Sequence, residues 1–346
     1  MHGYLPQLDG LRAIAILLVL VHHALTPIPF GGLVGVDVFF VLSGYLITGL
    51  LLAEHDRSGT IDLPRFYVRR AIRLYPPLLV TVGLLLAPGL VLAPHRLYFL
   101  VDAASALTYL TPLVLLVNQG AVIVFRQTWS LGIEELFYLG WPMLLLLLLR
   151  ARRWRRSVVL GSALLGTAVL TTGTIGTFEG SDMSYLSRSG SLFLGCAANA
   201  FLHRRSVRLP ALVGWAGLCG LLVAVVLGTT GAPEASAVLL ASTSTVALTA
   251  YLTRPRSGRL PALLGRAPLA YLGRISYELY LWHFPVFMLA GQVTGAPFYA
   301  LAWWCVPLSL LLAAGTHAAL APATDRWKVR ANAVLSRRVP RKVLPT

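Results

Sequence analysis

Apolar stretches long enough to cross a membrane recur from Leu11 to Leu320, and they constrain this chain more than any other feature. A spanning helix needs about 20 mostly apolar residues to cover a hydrocarbon core about 30 Å thick. Of the 346 residues, 57% are hydrophobic and only 12% are charged, whereas soluble domains carry about 25% charged residues. The expected fold is therefore all-α: a polytopic transmembrane helical bundle, with no room for a soluble catalytic domain of ordinary size. A net charge of +16 would suggest nucleic acid in a soluble chain. Here the arginines cluster in short loops between apolar spans, as cytoplasmic loops require, so no nucleic-acid partner is expected. Arginine greatly outnumbers lysine, a bacterial, GC-rich bias. Cys196, Cys219 and Cys305 lie in apolar stretches with neither metal nor disulfide spacing, so no metal site is expected. The N-terminus lacks the basic region and the small-residue cleavage site of a secretory signal.

Spans are expected at Leu11–Leu25, Leu33–Leu52, Pro76–Leu92, Trp129–Leu149, Val158–Ile175, Tyr185–Leu202, Leu212–Leu227, Ala237–Leu252, Ala270–Ala290 and Phe298–Leu320. An arginine-rich loop, Glu54–Arg73, separates the second from the third. Leu97–Asn118 is ambiguous, and loop charge decides it. If it crosses, Arg150–Arg156 lies outside. If it does not, every basic cluster falls on one side, and only Arg96, Arg126 and Arg188 lie outside. The positive-inside rule favours the second arrangement: about ten spans, both termini cytoplasmic. Leu97–Asn118, with Asp102, then lies on the outer face or re-enters from it. The membrane domain covers 1–324, and 325–346 is a basic cytoplasmic tail. No internal repeat is evident.

Ionisable groups within membrane segments are costly and are functional candidates by default. Arg12 and His23 of the first span are eleven positions apart. In a helix that is close to three turns, so both share a face about 16 Å apart along the axis. Arg12 reads equally as a snorkelling anchor and as a site residue. His23 rather than adjacent His22 is taken as the functional histidine. Asp37 opens the second span, either capping it or partnering a histidine of the first. It is seven positions from Gly44, which suits close helix packing. Arg69, Arg70 and Arg73 form one basic flank if helical. Their planar guanidinium forks suit phosphate, either of a ligand or of lipid headgroups. Glu134 and Glu135 head another span, and one helix cap explains two carboxylates poorly. Tyr138 is four positions from Glu134 and in reach of it. Ser43 and His283 are further candidates, His283 in an aromatic span with Glu278 and Pro285.

Five stretches together resemble the membrane acyltransferase family 3 proteins, bacterial O-acyltransferases. They are Leu8-Asp9-Gly10-Leu11-Arg12 with His23; Gly35-Val36-Asp37-Val38-Phe39-Phe40-Val41-Leu42-Ser43-Gly44; Arg70-Ala71-Ile72-Arg73-Leu74-Tyr75-Pro76; Trp129-Ser130-Leu131 with Glu134-Glu135-Leu136-Phe137-Tyr138; and Ser276-Tyr277-Glu278-Leu279-Tyr280-Leu281-Trp282-His283. Each is weakly specific alone; in order, they span most of the chain. Leu136 and Glu278 depart from residues frequent in the family. The resemblance implies transfer of an acyl group, acetyl foremost, from acyl-CoA to a hydroxyl of a carbohydrate-containing acceptor. It implies His23 as catalytic histidine, Arg12 as its motif partner, and Arg70 and Arg73 as contacts to the CoA nucleotide. Acetyl-CoA is expected as donor substrate, with no permanently bound cofactor. Some relatives carry an extra C-terminal hydrolase-like domain, which is not expected here. The location implied is the bacterial inner (plasma) membrane.

His23 is the expected base, since an unperturbed imidazole titrates near neutrality. Asp37 or Glu134 would orient it, as the acidic member does in a triad. The competing class is a proton-coupled transporter, which also uses buried His, Arg and Glu, but broken helices and repeats are not evident.

Overall fold

The computed structural model describes residues 4–28, 30–92, 95–117, 124–150, 155–172, 186–203, 205, 207–254 and 258–336, and among these there is no β-strand. Helix α1 (Pro6–Ala24) begins on a proline, whose missing N–H is no loss in a first turn. A 3₁₀ turn (Gly31–Leu33) leads into α2 (Val34–Ser58). That helix closes on Gly59, whose φ of 73° lets its N–H donate back to His55. The next helix, α3 (Leu63–Leu92), is capped by Asp62, which accepts from the Arg65 N–H at 3.0 Å.

Two helices too short to cross follow, α4 (Arg96–Leu107) and α5 (Thr111–Val117). At 1.5 Å per residue the longer reaches only about 18 Å. A 3₁₀ turn (Arg126–Thr128) then opens α6 (Trp129–Arg150). The remainder comprises α7 (Arg155–Thr172), α8 (Gly190–Leu202), α9 (Ala211–Thr229), α10 (Glu234–Leu252), the short α11 (Arg259–Leu264) and α12 (Ala267–Arg274), α13 (Ser276–Thr294) and α14 (Phe298–Ser336).

Among the described residues, seven helices are long and apolar enough to cross a membrane: α1, α2, α3, α6, α9, α10 and α14. Helices α7 and α8 are apolar but shorter. Helix α13 has spanning length, 19 residues, but carries Glu278, His283 and Gln292. The expected arginine loop is largely helical: α2 runs on to Ser58 and α3 starts at Leu63, before its prolines Pro76 and Pro77. Membrane helices tolerate such prolines where neighbours re-satisfy the freed backbone groups. Arg69, Arg70 and Arg73 therefore sit on a regular helix. Helix α14 likewise continues past Asp325, through the start of the basic segment. The end of the expected span at Ile175, the start of the next at Tyr185, the loop arginines Arg152 and Arg153, and residues 118–123 and 337–346 lie outside the described residues.

Helix α1 is the hub. It packs on α2, α11, α12, α13 and α14, and Leu11, Ala13, Ala15, Ile16 and Val19 have no exposed surface. Lipid tails are as apolar as leucine, so association of such helices rests on close packing rather than on the hydrophobic effect. Small residues supply it. A Cβ on Gly44 would collide with the Leu192 carbonyl of α8, and one on Gly273 with the Asp9 carbonyl of α1.

Candidate active site

Helix α1 carries Arg12 near its start and His23 near its end, and the two serve different surroundings. Arg12 lines a cavity of about 260 Å³, together with Arg70 and Arg73 of α3, Ser43 of α2, and Glu134 and Tyr138 of α6. The guanidinium groups are near enough to repel one another. Arg12 pairs with Asp9 at 3.3 Å, and Arg70 with Glu135 at 3.3 Å while stacking on the Tyr138 ring. Arg73 forms no hydrogen bond or ion pair among the described residues. Glu134 accepts from Ser43 Oγ at 2.8 Å and, as the four-residue spacing suggests, from Tyr138 OH at 3.2 Å. Three guanidinium forks converging on one cavity, with Arg73 held by no ion pair among the described residues, are chemically suited to an anionic, phosphate-bearing ligand.

His23 does not line this cavity. Tyr280 of α13 stands in the cavity wall, and its ring packs against His283, with centroids 5.4 Å apart. His283 Nε2 lies 3.2 Å from His23 Nδ1, and the two rings are 5.1 Å apart. Their geometry assigns the tautomers. His283 Nδ1 faces two backbone carbonyls, Tyr280 at 2.9 Å and Leu279 at 3.1 Å. Carbonyls only accept, so Nδ1 carries the proton and neutral His283 presents a lone pair at Nε2. His23 Nδ1 then faces that lone pair and the Val19 carbonyl at 3.1 Å, so it too carries its proton. A neutral His23 is left with a basic Nε2. His283 is fully buried and fixed by its own helix.

Other sequence candidates fall elsewhere. Asp37 meets no histidine: it is completely buried, bonded by Arg188 at 2.7 Å and by Ser191 Oγ at 3.0 Å. Glu134 belongs to the arginine cavity, bound by Ser43 and Tyr138, so its bonds do not orient His23. Arg69 turns away from the cavity and donates to Asn332 of α14 at 2.9 Å. His22 binds the Phe30 carbonyl, a structural role beside its neighbour. Sequence reasoning missed Arg188 as the partner of Asp37 and Tyr280 as the link between cavity and histidines. The four-residue Tyr138–Glu134 spacing was readable; contacts across 151 and 260 positions left no local signal.

Fold and site together define a polytopic helical membrane protein with an anion-receptive cavity adjoining a histidine pair. A family described as an acyltransferase domain matches residues 5–318, and the chain belongs to that family. Among curated relatives, it is 34% identical over 320 residues to the putative peptidoglycan O-acetyltransferase YrhL of Bacillus subtilis, covering 84% of this chain and 50% of the relative. It is 31% identical over 317 residues to the O-acetyltransferase OatA of Staphylococcus aureus, covering 84% and 51%. The peptidoglycan O-acetyltransferase OatA of Listeria monocytogenes is 31% identical over 319 residues, with 84% and 50% covered. The chain thus spans about half the length of the relatives it matches. No solved structure matches.

Proposed function

We propose that this protein is an integral-membrane O-acyltransferase that moves an acyl group, acetyl foremost, from acyl-CoA to a hydroxyl of a carbohydrate-containing acceptor. The observation that carries this reading is one continuous arrangement: three arginines on one cavity, Tyr280 in its wall, and the His283–His23 pair behind Tyr280. The relatives' names favour peptidoglycan among carbohydrate acceptors.

In this reading Arg12, Arg70 and Arg73 hold the phosphates of the CoA nucleotide, and the pantetheine arm extends toward His23. His23 Nε2 takes the proton of the attacking hydroxyl. The hydroxyl oxygen bonds to the thioester carbon, the carbon–sulfur bond breaks, and the departing CoA sulfur receives the proton from His23. His283 is a positioning residue, holding His23 in the tautomer whose Nε2 is free. The chain would cross the bacterial plasma membrane about ten times with both ends cytoplasmic, a topology that the one-sided arginine clusters support. The arginine cavity would then face the cytoplasm, where acyl-CoA is made.

The test uses purified protein in lipid, radiolabelled acetyl-CoA, and acceptor-dependent loss of label from CoA. His23→Ala should lower transfer by about 10²–10⁴-fold, with membrane insertion and melting temperature intact. Near-wild-type transfer in that variant would remove the reading.

A further inference from the structure

The arginine cavity has an apolar wall that the transfer scheme leaves unused. Phe39, Ser43, Leu46, Ile47 and Leu50 of α2 all line it. Their spacing of three and four makes them one stripe of a helix. None of the five is buried; Leu50 is 53% exposed and the other four partly so. Elsewhere α2 packs on α1, α8 and α10, so this stripe is the side that the bundle leaves partly open. It runs about 16 Å from Phe39 to Leu50. Helix α2 is among those long and apolar enough to cross a membrane. Leu50 lies about 24 Å from its start, within a hydrocarbon core about 30 Å thick. At that height an open apolar stripe meets acyl chains, so the cavity opens sideways into the bilayer.

Arg73 supplies a charge at the same place. It lines the cavity, it is exposed, and it forms no hydrogen bond or ion pair among the described residues. Arg12 and Arg70, by contrast, each hold a carboxylate. The planar fork of Arg73, with five N–H donors, is therefore available to a phosphate. Basic pockets between membrane helices are places where anionic lipid headgroups bind. A free phosphate would satisfy Arg73 alone; a phospholipid satisfies Arg73 and covers the stripe.

We propose that this cavity also takes one anionic phospholipid, entering past α2, with its phosphate on Arg73 and an acyl chain along Phe39, Leu46, Ile47 and Leu50. Lipid and acyl-CoA then exclude each other, and the donor displaces the lipid before transfer. Only that exclusion rests on the acyltransferase reading.

The experiment releases the full chain from discs of phosphatidylcholine and phosphatidylglycerol in equal parts and counts the lipid it keeps by native mass spectrometry. Wild-type protein should keep one phosphatidylglycerol, which excess CoA releases. Arg73→Ala should lower retention about tenfold, as expected for a lost hydrogen bond to a charged group. Ile47→Gln, which leaves every charge in place and puts an amide in the stripe, should lower it as well. Arg69→Ala, whose side chain turns away from the cavity, should keep the lipid. Melting temperature reports folding, and if Arg73→Ala melts early, Ile47→Gln decides. Unchanged retention in a variant that melts as wild type, or an equal loss in Arg69→Ala, overturns the site in favour of general attraction to a basic surface. Lipid that stays when CoA binds overturns the shared cavity. Protein that binds CoA but keeps no phosphatidylglycerol overturns the lipid site and leaves the donor reading. Protein that keeps the lipid but binds no CoA does the reverse.

Discussion

Two guanidinium clusters are built into this bundle, and they are finished differently. Around Arg188 each major group has its partner. Asp37 uses one oxygen for Arg188 and the other for Ser191, Ser191 reaches Ser242 at 2.8 Å, and Arg188 also holds Glu234 and the Leu33 carbonyl. Arg188 is 3% exposed and Asp37 not at all. In the arginine cavity the pairs are longer, both at 3.3 Å, and Arg73 has no partner among the described residues. A charge whose partners are complete fastens helices; a charge with spare donors in a cavity wall can take an anion. The first cluster ties α2 to α8, α10 and the segment before α8, and the second is left chemically suited to an anion, as the proposed function requires.

The contrast can be broken at either end. The largest stability effect should come from Arg188→Ala, which strands the buried Asp37 carboxylate at a cost of about 3–5 kcal/mol. Thermal unfolding in detergent should show it as a large fall in melting temperature; an unchanged value would mean that the cluster is not a fastener. Arg70→Ala with Arg73→Ala should do the reverse. Melting temperature should hold while KM for acetyl-CoA rises about tenfold or more, since a hydrogen bond to a charged group is worth about 1.5–3 kcal/mol. An unchanged KM would assign these arginines to lipid headgroups. The smallest effect belongs to Arg69→Ala, which loses one exposed bond to Asn332. It should move stability by no more than about 1 kcal/mol and leave KM for acetyl-CoA alone. A KM shift as large as that of the double variant would return Arg69 to the cavity.

How much of this the sequence discloses depends on the range of each interaction. Helical spacing within a single element read correctly: Tyr138 does bond Glu134, and Gly44 does lie against a carbonyl of another helix. Helix ends read less well. Prolines at 76 and 77 look like the start of a span, yet α3 begins 13 residues earlier than Pro76, because its first turn is capped by Asp62. Partners across the bundle did not read at all. Asp37 reads from sequence as either a helix cap or a histidine's partner and sits instead with Arg188, while the partner of His23 is His283. In apolar helices surrounded by other apolar helices, periodicity does not mark which face meets which neighbour, so such pairings emerge only from packing.

Helix α14 has a consequence for how quickly an anionic ligand is found. Its 39 residues make a rod about 58 Å long, nearly twice the thickness of a hydrocarbon core of about 30 Å. Arg326, Lys328 and Arg330 ride on its later turns, close in sequence to Asn332, which is bonded to Arg69 one residue from the cavity-lining Arg70. Positive potential therefore extends outward from the cavity along a stiff arm. Fields of this kind raise the local concentration of an anionic solute and speed its encounter, an advantage that fades as salt screens it. Diffusional capture of an anionic ligand, and not only its final grip, is then written into the length of this one helix.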